Sequence, residues 1–286
     1  MSKPVVSTIL IYNTTRTDFR YGEYMTAKFV VLLRAAWIDA LAYRAQLFIW
    51  VTTGMLPLIM LAIWRTLAGD GTIGGYARDD FVAYFVGALC IRQLTGVWII
   101  WDMEREIRLG ELSPHLLRPV HPLWRYLAMA LADKPLRLLM IAPIVLIAGL
   151  IAPGAIPQPD LLRWSLLPLA IGLAFAVYFL NQCCIGVLSF WWTQVLALQD
   201  FWFGVYAFCS GYLVPLDLLP APVTAVLNWL PFRAMLAFPL ELLLGRLDQT
   251  AIIWGFAHQL GWIVVLGALL HWLWNNGVRR YSAVGA

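Results

Sequence analysis

The sequence predicts an all-α integral membrane protein, and three observations carry that prediction. Hydrophobic residues make up 62% of the chain and charged residues 13%, against roughly 45–50% and about 25% in soluble domains, and the mean hydropathy is +0.75. Uncharged apolar runs recur at the length that covers about 30 Å of hydrocarbon at about 1.5 Å per residue. Lys and Arg gather in alternate connections between those runs, as the retention of positive loops on the cytoplasmic side requires.

Six runs are expected to cross, at about 45–64, 81–101, 136–152, 164–188, 194–214 and 251–274. All should be helices, because lipid offers no partner to a free backbone group. Six crossings place both termini on one side. With that side inside, Lys3, Arg16, Arg20, Lys28, Arg34 and Arg44 precede the first run, and Arg105, Arg108, Arg118, Arg125 and Lys134 follow the second. The opposite side collects only Arg65, Arg78, Arg163, Arg233 and Arg246. Both termini are therefore expected in the cytoplasm, with the chain in the bacterial inner membrane. The start of the chain lacks the pattern of a cleavable signal, since "VVSTILIY" is short and runs into "NTTRTDFRYGEY".

Before the first crossing, Met25, Phe29, Leu33, Trp37 and Leu41 repeat at i, i+4, which predicts a helix within 1–44 that lies in the inner interface or packs as a lead-in to the first crossing. Segment 215–245 is apolar, but Pro220, Pro222, Pro231 and Pro239 divide it into pieces too short to cross. An outer re-entrant hairpin is the expectation there. Cys90, Cys183, Cys184 and Cys209 sit in apolar stretches and read as small core residues.

The polar interruption at 102–135 is the most informative stretch. Asp102 is expected to cap a short cytoplasmic helix in which Glu104 and Arg108 pair at i, i+4. Gly110 should stop it, and Ser113 with Pro114 should open a second short helix as cap and first position. Leu116, Leu117, Val120, Leu123 and Trp124 then form an apolar surface that belongs to no crossing. Headgroups or a docking partner must cover it.

The stretch "IRLGELSPHLLRPVHPLWRY" resembles the loop between the second and third crossings of ATP-binding-cassette permeases of the type-2 exporter class. Ile107, Arg108, Gly110, Leu112, Leu116, Leu117, Arg118 and Pro119 match its I-R-x-G-x-L-x-x-x-L-L-R-P pattern. "SGYLVPLDLLP" at 210–220, "LPF" at 230–232 and P-x-E-x-x-x-G from Pro239 to Gly245 are similar to the outer hairpin of the same class. The resemblance covers nearly the whole chain, which forms a single permease domain. It implies a coupling helix seated in a separate ATPase, two permease subunits (identical or different) and two ATPases, with ATP and Mg on the ATPase and no cofactor on this chain. Glu104, Arg105, Arg108, Gly110, Glu111, Leu117, Arg118 and Pro119 are the expected ATPase-coupling residues.

The chain has no G-x-x-x-x-G-K-[ST], so the Lys and backbone cradle that hold ATP phosphates must come from another polypeptide. An ion-coupled carrier is the alternative, though such carriers usually keep a mid-membrane carboxylate and none of the six runs has one at its centre. A membrane enzyme is the other, but His115 and His121 lack metal-ligand spacing and no HExxH occurs. A pure scaffold is a further reading. Nothing in the basic residues points to nucleic acid. Arg92, Asn181, Gln182 and His258 are the candidates for a substrate path, each with an alternative role in bridging helices. Arg92 would meet an anionic group of the cargo or a structural partner. Trp229, Phe232 and Phe238 are the candidate outer gate, and cargo is expected to be hydrophobic or amphipathic.

Overall fold

The computed structural model describes residues 26, 28–42, 48–49, 52 and 54–281. Its helices are α1 (28–42), α2 (Leu56–Ala68), α3 (Arg78–Thr95), α4 (Ile100–Arg108), α5 (Ser113–Leu116), α6 (Pro122–Ala132) and α7 (Lys134–Ile151). After them come α8 (Leu161–Val187), α9 (Val195–Cys209), α10 (Ala221–Leu227), α11 (Pro231–Met235), α12 (Ala237–Leu243) and α13 (Gln249–Val278). Among the described residues there is no strand, only an isolated bridge between Ile73 and Tyr76.

Among the described residues, four stretches are long and apolar enough to cross a membrane: Arg78–Arg108, Pro122–Ile151, Leu161–Phe190 and Gln249–Val278. The apolar helices α2 and α9 are shorter. Of the expected first crossing, residues 45–47, 50, 51 and 53 lie outside the described residues, as does Met25 of the N-terminal stripe. The remainder of that stripe lies in α1, where Phe29, Leu33 and Trp37 are half-buried beside a buried Ala36 and Leu41 is exposed.

Two boundaries differ from the sequence expectation for local reasons. The 81–101 run is not one helix: Gly96 takes an extended conformation after α3, and helix resumes at Ile100. The 194–214 run stops at Cys209, because Gly211 has φ +87° and turns the chain. Three ring donors fasten this turn. Tyr84 Oη donates to the Gly211 carbonyl (2.7 Å), Trp64 Nε1 to Leu213 O (3.1 Å), and Tyr212 Oη to Gly54 O (3.1 Å).

The 215–245 segment is broken where prolines occupy first-turn positions of α10, α11 and α12, which need no backbone donor. Residues 234–240 are nevertheless buried, packed against α3, α8 and α13. Gln259 secures this layer, its Nε2 donating to Ala170 O (2.9 Å) and Ala234 O (3.0 Å). The largest core cluster is aromatic, with Phe81, Tyr84, Phe85, Tyr126, Tyr178 and Tyr206 all fully buried. The outward faces of α7 and α13 are apolar as well, with Leu139, Leu150, Ile253 and Val264 each about 70% exposed. A fold greasy inside and out is made for lipid and not for water.

Candidate functional site: a charged elbow and a buried arginine

The interruption read from the sequence folds as an elbow. It is more helical than the expected 102–135 loop, because α4 continues the preceding crossing element and α6 runs directly into α7 at Asp133. Only 109–121, with the single turn α5, departs from this. Asp102 lies inside the first turn of α4 and pairs with Arg105 (3.3 Å), so it is not the cap. Ser113 is the first residue of α5 and makes no cap bond. Gly110 does end its helix, with φ +79°.

Glu104 pairs with Arg108 (2.5 Å) as the i, i+4 spacing predicts, and it is buried. Arg105 also reaches Glu111 (3.5 Å). The exposed residues of the elbow include Arg105, Arg108, Glu111, Leu117, Arg118 and Pro119, with Leu117 at 88% exposure and Leu109 and Trp124 at 47% and 44%. The wider apolar surface expected from Leu116 to Trp124 is mostly covered from within. Leu116 and Leu123 pack against the main core, and the Trp124 ring meets Phe29 of α1 edge-on (5.7 Å).

Several residues that hold the elbow carry no sequence signal. Glu106, buried, accepts from Arg125 Nη2 and from Tyr126 Oη (2.6 Å), tying α4 to α6. Tyr281, beyond α13, bonds both Ser113 N and Ser113 Oγ at 3.1 Å. The His121 ring lies 4.8 Å from that of Trp274, and Phe190 packs on both Trp274 and Tyr281. The tip is thus rooted in the ends of α8 and α13. His121 Nδ1 also accepts from Leu123 N (3.3 Å) at the start of α6. Burial, aided by His271, pushes the His121 imidazole below its ordinary pKa, and burial with Arg125 does the same to His115. Both shifts favour the neutral imidazole, the form in which His121 Nδ1 can accept.

The substrate-path candidates separate. Arg92 is buried among four rings, its guanidinium carbon 4.9 Å from the Tyr178 centroid, 5.3 Å from Tyr206, 5.5 Å from Trp98 and 5.7 Å from Phe203. It lines a cavity of about 260 Å³ with Gln93, Trp98, Gln199, Asp200 and Tyr212. Gln182 is fully buried on α8, and neither of its amide atoms has a partner among the described residues. Asn181 beside it is half-buried. His258 accepts from Trp262 Nε1 (2.9 Å) and lines a groove of about 640 Å³ with Trp229 and Arg233. Of the gate candidates, Trp229 is 76% exposed, whereas Phe232 and Phe238 are buried, the latter edge-on to Phe256 (5.2 Å).

A search of curated proteins finds no match. Residues 49–285 match the family model described as ABC-2 family transporter protein. With its several apolar helices and a match over most of its length, the chain is a multi-pass membrane protein that belongs to the ABC-2 transporter family.

Proposed function

We propose that this chain is the membrane subunit of an ATP-driven exporter, working as one of two permease subunits with two separately encoded ATPases that hold ATP and Mg. The exposed tip of the elbow carries this reading. Leu117 stands almost fully exposed between Glu111 and Arg118, an apolar anchor with charges of both signs beside it, as a protein partner would grip. The family match supports an ATPase as that partner.

Six crossings account for the chain, with both termini cytoplasmic. The first is the crossing to which α2 belongs. The fifth runs through α9, whose 15 residues span about 22 Å. It is completed by the 210–214 turn, non-helical backbone that membrane depth tolerates because it is packed in protein with its carbonyls bonded. The buried 231–243 layer is the re-entrant hairpin on the outer side. Motion enters at the elbow and reaches the crossings as rigid-body rocking through α4, α6 and the rooted ends of α8 and α13.

Co-expression with candidate ATPases and purification in detergent tests the reading, and the expected result is a retained ATPase. A chain that retains none refutes it. Within a retained complex, Glu111→Lys or Arg118→Glu should leave ATP turnover in place and abolish transport, with the fold intact by circular dichroism. Normal transport in both variants removes the role from this loop.

A further inference from the structure

Arg92, Lys134 and Arg137 are all buried, at 5%, 8% and 3% exposure. They form one cluster. Arg92 and Arg137 both lie against the Trp98 ring, at 5.5 and 6.0 Å. Lys134 donates to the Gly96 carbonyl, and a Cβ on Gly96 would collide with Arg92 Nη1. Among the described residues one half-buried carboxylate answers these three cations. It is Asp133, committed to Arg137 (2.6 Å) and Lys134 (3.4 Å). Arg137 also donates to Gln93 Oε1 (3.3 Å).

Arg92 has no carboxylate partner here. Four aromatic faces hold its charge instead, an attraction that strengthens at a desolvated site. Such faces stabilise a cation without using its N–H groups, and Nη1 has no hydrogen-bond acceptor among the described residues. Gln199 Oε1, on the cavity wall, is likewise buried without a partner; as an acceptor it calls for a donor, which the P–O–H of a hydrogen phosphate monoester supplies. A buried polar atom left so is destabilising, and both orphans belong to the residues that line one cavity.

The geometry points to this cavity as a binding site for the hydrogen-phosphate head of an amphiphile whose apolar body stays in the membrane: its anionic oxygen meets Arg92 and its O–H meets Gln199. The size supports a head group: about 260 Å³ is below the roughly 300–1,000 Å³ that encloses a whole drug-sized ligand. Trp98, Trp101, Phe203 and Tyr212 supply apolar walls. Asp200 is the one carboxylate on the lining; it is exposed, so water screens it at the rim while the cations act from the dry interior. As the cargo class of the exporter, this inference rests on the reading above, but the binding does not need an ATPase.

The test uses the full chain purified in dodecyl maltoside, with monododecyl phosphate as probe and dodecyltrimethylammonium and dodecanol as cationic and neutral controls. Saturable quenching or enhancement of tryptophan fluorescence is expected with the phosphate, at least about tenfold tighter than with either control, since a hydrogen bond to a charged group is worth about 1.5–3 kcal/mol. Arg92→Gln should weaken the phosphate by about tenfold or more, and Gln199→Leu by a smaller factor at unchanged helicity. Equal affinity for the three amphiphiles overturns the proposal, as does unchanged affinity in a folded Arg92→Gln protein. If Arg92→Gln does not fold, unchanged affinity in Gln199→Leu overturns it. Lipid extraction separates two sources: an anionic phospholipid that copurifies and is lost with the Arg92 or Gln199 substitution marks a resident lipid, and a wild type that arrives empty and binds the probe marks an exchanging cargo. A chain that binds monododecyl phosphate selectively yet retains no ATPase keeps this site and loses the exporter reading.

Discussion

At the scale of single residues, two glycines separate function from packing. Gly96 leaves the space into which the Arg92 guanidinium folds, so Gly96→Ala should displace that group and weaken monododecyl phosphate binding in parallel with Arg92→Gln, at a stability cost of about 1–3 kcal/mol. Gly255 is held equally closely by the Phe238 ring on the far side of the bundle. Gly255→Ala should cost a similar amount, about 1–3 kcal/mol, and leave probe binding alone. Thermal unfolding with fluorescence titration of both variants checks the pair. His121 makes a third residue-scale prediction. Its folded pKa lies below its unfolded value, so the unfolded chain binds the additional proton, and stability falls as pH drops through the window below about 6.5. His121→Asn keeps a capping acceptor but does not titrate, and melting temperatures between pH 5 and 7 should show a shallower slope for it.

At the scale of elements, the elbow is a stiff unit and not a loop. Glu106 joins α4 to α6 through Arg125 and Tyr126, and Tyr281 joins the end of α13 to α5. Removing one partner of a fully buried ion pair costs about 3–5 kcal/mol. Arg125 keeps 21% of its side chain exposed, so Glu106→Ala should cost less, about 2–3 kcal/mol, read as a lowered melting temperature in detergent. Tyr281→Phe removes two bonds to the tip at the elbow's surface and should barely change stability. Its expected effect is on coupling: ATP hydrolysis in the ATPase complex persists while transport per ATP falls. Unaltered transport in Tyr281→Phe would show that force leaves the elbow through α4 and α6 alone.

At the scale of the whole molecule, the apolar outer faces of α7 and α13 and the buried 231–243 layer fix what meets lipid and what meets protein. Single cysteines at Leu117 and at Val223 give the corresponding test in a background without the four native cysteines. Impermeant maleimide added to intact cells should label position 223 only, and position 117 should react only once the membrane is opened. Labelling of 117 from outside would invert the topology and remove the ATPase from the elbow. A mass equal to two of these chains plus two ATPases is expected for the purified complex if both permease subunits are this chain.

Much of this protein is legible in one dimension, because lipid imposes rules that composition and run length express directly. The all-helical class, the α8 and α13 crossings, the Glu104 and Arg108 pair, the stop at Gly110 and the proline-broken 215–245 segment are set within a few turns of chain. What tertiary structure alone decided are the contacts between distant segments. Tyr84 and Trp64, from other helices, hold the 211–213 turn where α9 ends. The apolar surface of the elbow is partly covered by residues from other segments, leaving Leu117 the most exposed. Glu106 finds Arg125 and Tyr126 about twenty positions later, and Ser113 finds Tyr281 from the end of the chain. Arg92 was visible as an expensive residue in an apolar run, but its aromatic cage draws on three separate stretches of chain. Periodicity and spacing report what a residue meets along its own helix; which ring or carboxylate faces it across the bundle is settled only by packing.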